Sequence, residues 1–229
     1  MVTKAAVAVR LMSGFYITGR RALAKDLRSV GHDLSNCRLP GAQLKGLMLH
    51  GVKMKAANLA GSDISEAVLS GSFMRSANLG GANMPYANLS GADLQMANLG
   101  GANMAYSNIS GADLTGANMS GAYLGYAKAN GTVFVDAYLW GSFARGADFS
   151  KADMRRAYLR GADLKGAKLL GAMLSGCDMA GANLGGAMIR QAQSLELAVA
   201  VGSISRKEMK TASRRSVKSA MDSLGVVIL

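Results

Sequence analysis

The sequence predicts an all-β solenoid, and three observations carry that prediction. Every fifth residue from position 34 to position 189 is apolar, through 32 units with no insertion or deletion. It is Leu, Met, Ile or Phe everywhere except at Ala129 and Ala144. Two residues before it the side chain is small: 22 Ala, 4 Ser and 2 Cys, against His32, Leu47, Val52 and Thr132. Two residues after it Gly dominates, and Asn or Asp usually sits just before it. A period of five matches neither the helical repeat nor the two-residue alternation of a plain strand. It fits a coil in which each short side sends one large and one small side chain inward. The chain then turns sharply at each corner, where Gly is least strained. Backbone hydrogen bonds run to the coils above and below, about 4.8 Å away.

The clearest stretch, residues 81–125, reads GANMP-YANLS-GADLQ-MANLG-GANMA-YSNIS-GADLT-GANMS-GAYLG. This A-(N/D)-L-x-x pattern, as in Ala97-Asn98-Leu99 and Ala162-Asp163-Leu164, resembles the pentapeptide-repeat family. The likeness covers about 160 of the 229 residues. It implies a right-handed quadrilateral parallel β-helix with four units per coil. That makes about eight coils, a rod roughly 40 Å long at sheet spacing. The family is functionally diverse, so function has to come from this chain's own departures from the repeat.

Residues 1–30 read as an N-terminal cap or docking segment. The opening MVTKAAVAVRLMSGFYITGRR is basic and lacks acids, as organelle transit segments do. It lacks a signal-peptide hydrophobic stretch and cleavage site, so it is expected to be retained. Thr18 to Val30 reads as a short helix before Gly31, with Leu23 and Leu27 on one face, placed to cover the first coil.

Residues 31–190 read as the β-helix. A twenty-residue coil makes testable demands at the core exceptions. Phe149 should stack on Ala129, and Phe134 should lie across the coil from Ala144, so that each ring meets a small partner. Cys37 and Cys177 take small inward positions seven coils apart, far beyond disulfide reach. They read as buried thiols, consistent with a reducing compartment. His32 falls at an inward position and His50 at an outward one. Columns also appear: Asn58, Asn78, Asn98 and Asn118; Ser70, Ser90 and Ser110; Tyr86, Tyr106 and Tyr126. The Asn columns should extend hydrogen bonding between coils, and the Tyr column should stack.

The pattern decays between residues 123 and 158. Tyr123, Val133, Val135, Tyr138, Trp140, Phe143 and Tyr158 occupy outward positions usually held by Asn, Asp, Ser or Thr. An exposed apolar and aromatic patch marks an interface, and Trp and Tyr are typical of binding hot spots. A basic cluster adjoins it: Lys151, Arg155, Arg156, Arg160, Lys165 and Lys168. Asp148, Asp153 and Asp163 dilute that charge, which suits a protein surface better than nucleic acid.

Residues 191–229 read as a C-terminal helical cap or docking segment. Ser205-x-x-Glu208 is a capping-box pattern that opens a helix to about Leu224, with Gly225 as the stop. Met209, Val217, Ala220 and Leu224 form its apolar stripe; Lys210, Arg214, Arg215 and Lys218 form its basic face. The tail Val226-Val227-Ile228-Leu229 reads as a docking element for a partner or for a homodimer.

The net charge of +12 sits mainly at the two ends, and no Lys or Arg occurs from Ser76 to Ala127. No stretch approaches 18 uninterrupted apolar residues, so no membrane span is expected. There is no CxxC, HExxH or phosphate-loop motif, and neither histidine has a convincing nucleophile or metal partner. An enzyme, a cofactor and a metal site are therefore not expected. The reading that follows is a non-catalytic structural or adaptor protein. It would be a rigid rod that binds protein partners in a virion or other multi-subunit complex, in the cytoplasm or within an assembled particle. Two other classes stay open. One is a DNA gyrase-binding DNA mimic of the resistance type, which the resemblance suggests and the slightly basic rod opposes. The other is nucleic-acid or membrane-surface binding through the basic termini, which would be strongly salt-dependent.

Overall fold

The computed structural model describes residues 32–190 and 214–229. The expected helix at Thr18–Val30, the Ser205-x-x-Glu208 pattern, Met209 and Lys210 lie outside the described residues. Parallel bridges join residues twenty apart, in four ladders that begin at Asp33, Arg38, Gln43 and Met48. Each ladder holds seven bridges. The chain therefore spends four five-residue units on each turn, and every unit lies on its equivalent in the next turn. The ladder from Asp33 to Met173 is face 1, Arg38 to Asp178 face 2, Gln43 to Asn183 face 3 and Met48 to Met188 face 4.

The corners explain the glycines. At each one the N–H of the small inward residue donates to the carbonyl of the preceding apolar residue, as Ala97 does to Leu94 at 3.1 Å. The second of the two residues between them is left-handed, with φ 63° at Gly81 and 64° at Gly101. Tyr86, Tyr106, Tyr126 and Arg156 hold the same conformation with a side chain attached, at φ 59°, 59°, 56° and 57°. Each costs on the order of 1 kcal/mol that glycine avoids.

Every central apolar residue from Leu34 to Ile189 is no more than 3% exposed. The Lys128–Asp148 bridge puts Phe149 one level on from Ala129, and both are fully buried, as the twenty-residue coil requires. Phe134 and Ala144 lie in one turn on opposite faces, also fully buried. The two phenylalanines further meet edge to face, with centroids 5.7 Å apart, a contact the columns did not reveal. Among the inward hydroxyls, Ser62 donates to the Leu39 carbonyl at 3.1 Å and Thr132 to that of Ile109 at 2.7 Å. Those of Ser72, Ser107 and Ser142 are buried without a partner.

Two inward assignments need correction. His32 is exposed, with φ 51°, because it sits at the edge of the first described turn. Cys37, in that same turn, is half-buried. Cys177 is buried, and burial first, then the charge of Asp178, pushes its thiol up to about 12.

After the last turn come strand β1 (Met188–Ile189), helix α1 (Arg214–Ser223) and strand β2 (Val227–Ile228). Helix α1 ends at a left-handed Gly225 (φ 66°). There the Gly225 N–H donates to Asp222 and the Val226 N–H to Met221, the paired bonds of a Schellman cap. Val217, Met221 and Val226 join the same apolar cluster as the rod core. Met221, fully buried, was missing from the sequence stripe.

The tail carries a further correction. β2 pairs in parallel with β1, Met188 with Val227 and Ile189 with Ile228. In that register Gly225-Val226-Val227-Ile228 lies on Gly186-Ala187-Met188-Ile189. A left-handed glycine matches a left-handed glycine, and the buried Val226 matches the small inward Ala187. Three bonds hold it: Gly186 N–H to Gly225 at 2.6 Å, Val227 N–H to Ala187 at 2.8 Å, which repeats the rod's own pattern, and Leu229 N–H to Ile189 at 2.9 Å. The tail is thus one more repeat unit on face 4, engaged within its own chain.

Candidate protein-binding surface

Over most of the rod the outward positions serve the backbone. In the face 2 ladder, Asn78 donates to Asn58 at 3.3 Å, Asn98 to Asn78 at 3.0 Å and Asn118 to Asn98 at 3.2 Å. Each side-chain oxygen also accepts the N–H two residues on, as Asn98 does from Gly100 at 3.1 Å. These bonds tie the corner down and bind one level to the next. The tyrosine column stacks as expected: Tyr86 on Tyr106 at 5.2 Å and Tyr106 on Tyr126 at 5.3 Å, both 10° from parallel. The column ends on Gly146. A Cβ there would lie 2.6 Å from Cε1 of Tyr126, so that corner must be glycine for the ring to rest on the backbone.

The aromatic substitutions use the same ladders. On face 2, Tyr138 and Tyr158 stack at 5.0 Å, and Trp140 meets both edge-on at 5.5 and 6.1 Å. On face 3, Tyr123 and Phe143 stack at 4.8 Å. All five rings are 36–49% exposed. Trp140 and Phe143 are three residues apart around one corner, so the two groups are neighbours. Val133 and Val135 do not join them: they are half-buried on face 1, with Val133 between Asp113 and Asp153 in the ladder. The sequence reading treated the seven residues as one patch. The structure gives two ring clusters on adjacent faces. Tyr106 and Tyr126, assigned only a stacking role, flank the second cluster. With Tyr123, Phe143, Arg145, Asn103, Ala105 and Gly125 they line a groove of about 420 Å³.

The basic cluster is largely ion-paired. Arg155 grips Asp153 in two bonds of 2.8 and 2.6 Å. Arg156 reaches back one turn to Asp136 in two bonds of 2.7 Å. Arg160 meets Asp178 at 2.9 Å and Lys168 meets Asp148 at 3.9 Å. The carboxylates respond. The Arg155 hydrogen bonds hold Asp153 below the usual range despite burial, and the Arg156 bonds do the same for Asp136. Asp148 is lowered too: burial opposes this, but hydrogen bonds from Ser150 and Asn130 and the Lys168 charge prevail. Among the described residues, Lys151 and Lys165 have no carboxylate within ion-pair range. Arg214 and Arg215 fall in the first turn of α1, and Lys218 is exposed further along it.

These groups are flat rings in fixed stacks, bordered by guanidiniums whose geometry is set by carboxylates. Among the described residues no group of three His, Cys, Asp or Glu is arranged to hold a metal ion, and no helix is long and apolar enough to cross a membrane.

Comparison with known proteins places this geometry. The chain is similar to HetL, a pentapeptide repeat protein involved in heterocyst differentiation regulation from the cyanobacterium Nostoc sp. strain PCC 7120. Identity is 28%, over 69% of this chain and 86% of HetL, with a TM-score of 0.30. It is similar to full-length QnrB1, a plasmid-mediated fluoroquinolone resistance protein, at 17% identity over 74% of this chain and 97% of that one, TM-score 0.42. It is also similar to a pentapeptide repeat protein of the Arabidopsis thaliana thylakoid lumen, at 21% identity over 82% and 88%, TM-score 0.25. No curated protein sequence matches it. The family model for pentapeptide repeats matches in 8 copies, over residues 53–85, 82–121, 117–156, 132–169 and 157–192. That continuous match spans more than half of the chain, which therefore belongs to the pentapeptide-repeat family.

Proposed function

We propose that this chain is a non-catalytic adaptor: a right-handed quadrilateral rod of about eight coils that holds a protein partner in a multi-subunit assembly. The observation that carries the reading is the exposed ring cluster of Tyr138, Trp140 and Tyr158 with its neighbour Tyr123–Phe143. Tyr138, Tyr158, Tyr123 and Phe143 stand where earlier coils place asparagine, and Trp140 where they place Ala, Gly or Ser, yet they leave the backbone ladders unchanged. The fold gains nothing from them that Asn does not supply, and rigid aromatic surface at low entropy cost is what interfaces use. The bidentate arginines beside them hold their charge at fixed positions, which favours a specific protein surface over a loose electrostatic one. Helix α1 and the tail act as the C-terminal cap. With the tail engaged on face 4, the basic face of α1, rather than the tail, is the docking element at that end.

Site-specific photo-crosslinking tests this. A benzophenone amino acid replaces Trp140 in one variant and Ser90, on face 4 of the regular region, in another. A discrete protein adduct from position 140, absent from position 90, supports the reading. Equal labelling from both positions, or none from 140, contradicts it.

A further inference from the structure

The groove on face 3 has a construction that limits what it can hold. One wall is the Tyr123–Phe143 stack and the other is Tyr106–Tyr126. The floor is Ala105 and Gly125, small residues set between the bulkier Pro85 and Arg145 of that column. Stacked rings spend their faces on each other. Tyr106 lies between Tyr86 and Tyr126, and the second face of Tyr126 rests on Gly146. Nucleobases, which need open ring faces, find none on that wall. What the groove presents instead is ring edges, which carry the positive rim of the aromatic quadrupole.

Charge continues the pattern at one end. Arg145 lines the groove, and Lys165 stands one level on in the same column, where its carbonyl accepts the Gly146 N–H at 2.9 Å. Arg145 is held loosely, by one contact from Nε to Asp163 at 3.6 Å. Arg155 and Arg156, by contrast, each commit Nε and Nη2 to a carboxylate in short bidentate pairs. Arg145 therefore keeps donors to offer, and Lys165 has no carboxylate partner among the described residues. The apolar floor, the positive ring edges and the two cations all favour one chemistry.

We propose that this groove binds an acidic peptide segment of a partner protein. The segment seats one large apolar side chain between the aromatic walls and sets carboxylates against Arg145 and Lys165. The proposal rests on the adaptor reading and names the chemistry of one of its contacts. Its volume suits a side-chain anchor and a short stretch of backbone, not a whole domain.

Selection on the full chain with a displayed library of random octapeptides tests it. The expected clones carry Asp or Glu next to a Leu, Phe or Trp. They should lose at least tenfold in affinity on Arg145→Glu, less on Arg145→Lys, and at least tenfold on Phe143→Ala. They should bind Trp140→Ala, on the other face, as they bind the parent. An unchanged unfolding midpoint for Arg145→Glu separates recognition from folding. No enrichment, clones without acidic residues, or clones indifferent to Arg145→Glu would overturn the proposal. So would a twenty-nucleotide oligothymidylate that outcompetes the peptides at this site. If crosslinking from position 140 still captures a partner while the library yields nothing, the adaptor reading stands and this groove is not its peptide site.

Discussion

The coils between Ser76 and Ala127 and those between Tyr123 and Lys168 share one backbone and differ almost entirely in what they show to water. Inside, both stack Leu, Met, Ile or Phe against small residues, and both run the same parallel ladders. Outside, the first region repeats asparagine beside its tyrosine column and carries no basic residue, whereas the second puts rings in the asparagine ladders themselves and adds paired arginines. The second region replaces a hydrogen-bonded side-chain ladder by an aromatic one at no cost to register. Inward positions hold the rod, and outward positions are free to specialise.

The largest expected effects break this comparison if they differ by region. Leu99→Ala and Leu139→Ala each empty a fully buried site and should each cost about 2–5 kcal/mol in denaturant unfolding. A cost well below that at position 139 would mean that the aromatic coils are held from outside, contrary to the account.

Recognition should separate from stability at the next level. Alanine at Tyr138, Trp140 and Tyr158 together is expected to weaken the crosslinked partner by more than about 2 kcal/mol in affinity. Each single change should shift stability by about 1 kcal/mol or less. The matched change Asn98→Ala should cost about 1 kcal/mol of stability and nothing in binding.

Two glycines sharpen the contrast further. Gly131→Ala meets no atom and should cost about 1 kcal/mol, from its left-handed backbone alone. Gly146→Ala has the same backbone but strikes the Tyr126 ring, so it should cost more. The excess should vanish in a Tyr126→Ala background, as read by a double-mutant cycle.

How much of this was legible follows the same division. The inward period marked the five-residue unit, the resemblance to the pentapeptide-repeat family implied the twenty-residue turn, and the Phe149–Ala129 stack and the tyrosine column followed from the two together. The ring clusters were legible as residues but not as shapes: Tyr138 and Trp140 are two residues apart, and only the corner geometry sends Val133 and Val135 to another face. Arg145 drew no attention because a lone arginine in a repeat has no periodic signature. The tail's place on the rod was not legible for a physical reason. Val226 to Ile228 looks like a sticky end, and its match to the repeat shows only once helix α1 has brought Gly225 back over Gly186.

Acid should act on the second region first. Asp153 and Asp136 sit below the usual carboxylate value because of their arginines, so their pairing contributes above about pH 3.9 and is lost as pH falls below it. Hydrogen exchange at pH 3 against pH 6 should show protection falling around residues 136–156 more than around 76–127. The smallest effect has the opposite sign. Ser107→Ala removes a buried hydroxyl that has no partner and should raise stability, by about 1 kcal/mol at most.

The central claim, that the outward rings serve recognition and not the rod, is tested most directly by measuring partner affinity and unfolding midpoint on the same Trp140→Ala protein. The account predicts a midpoint within a few degrees of the parent and an affinity lowered at least tenfold. A midpoint that collapses, or an affinity that does not change, would contradict it.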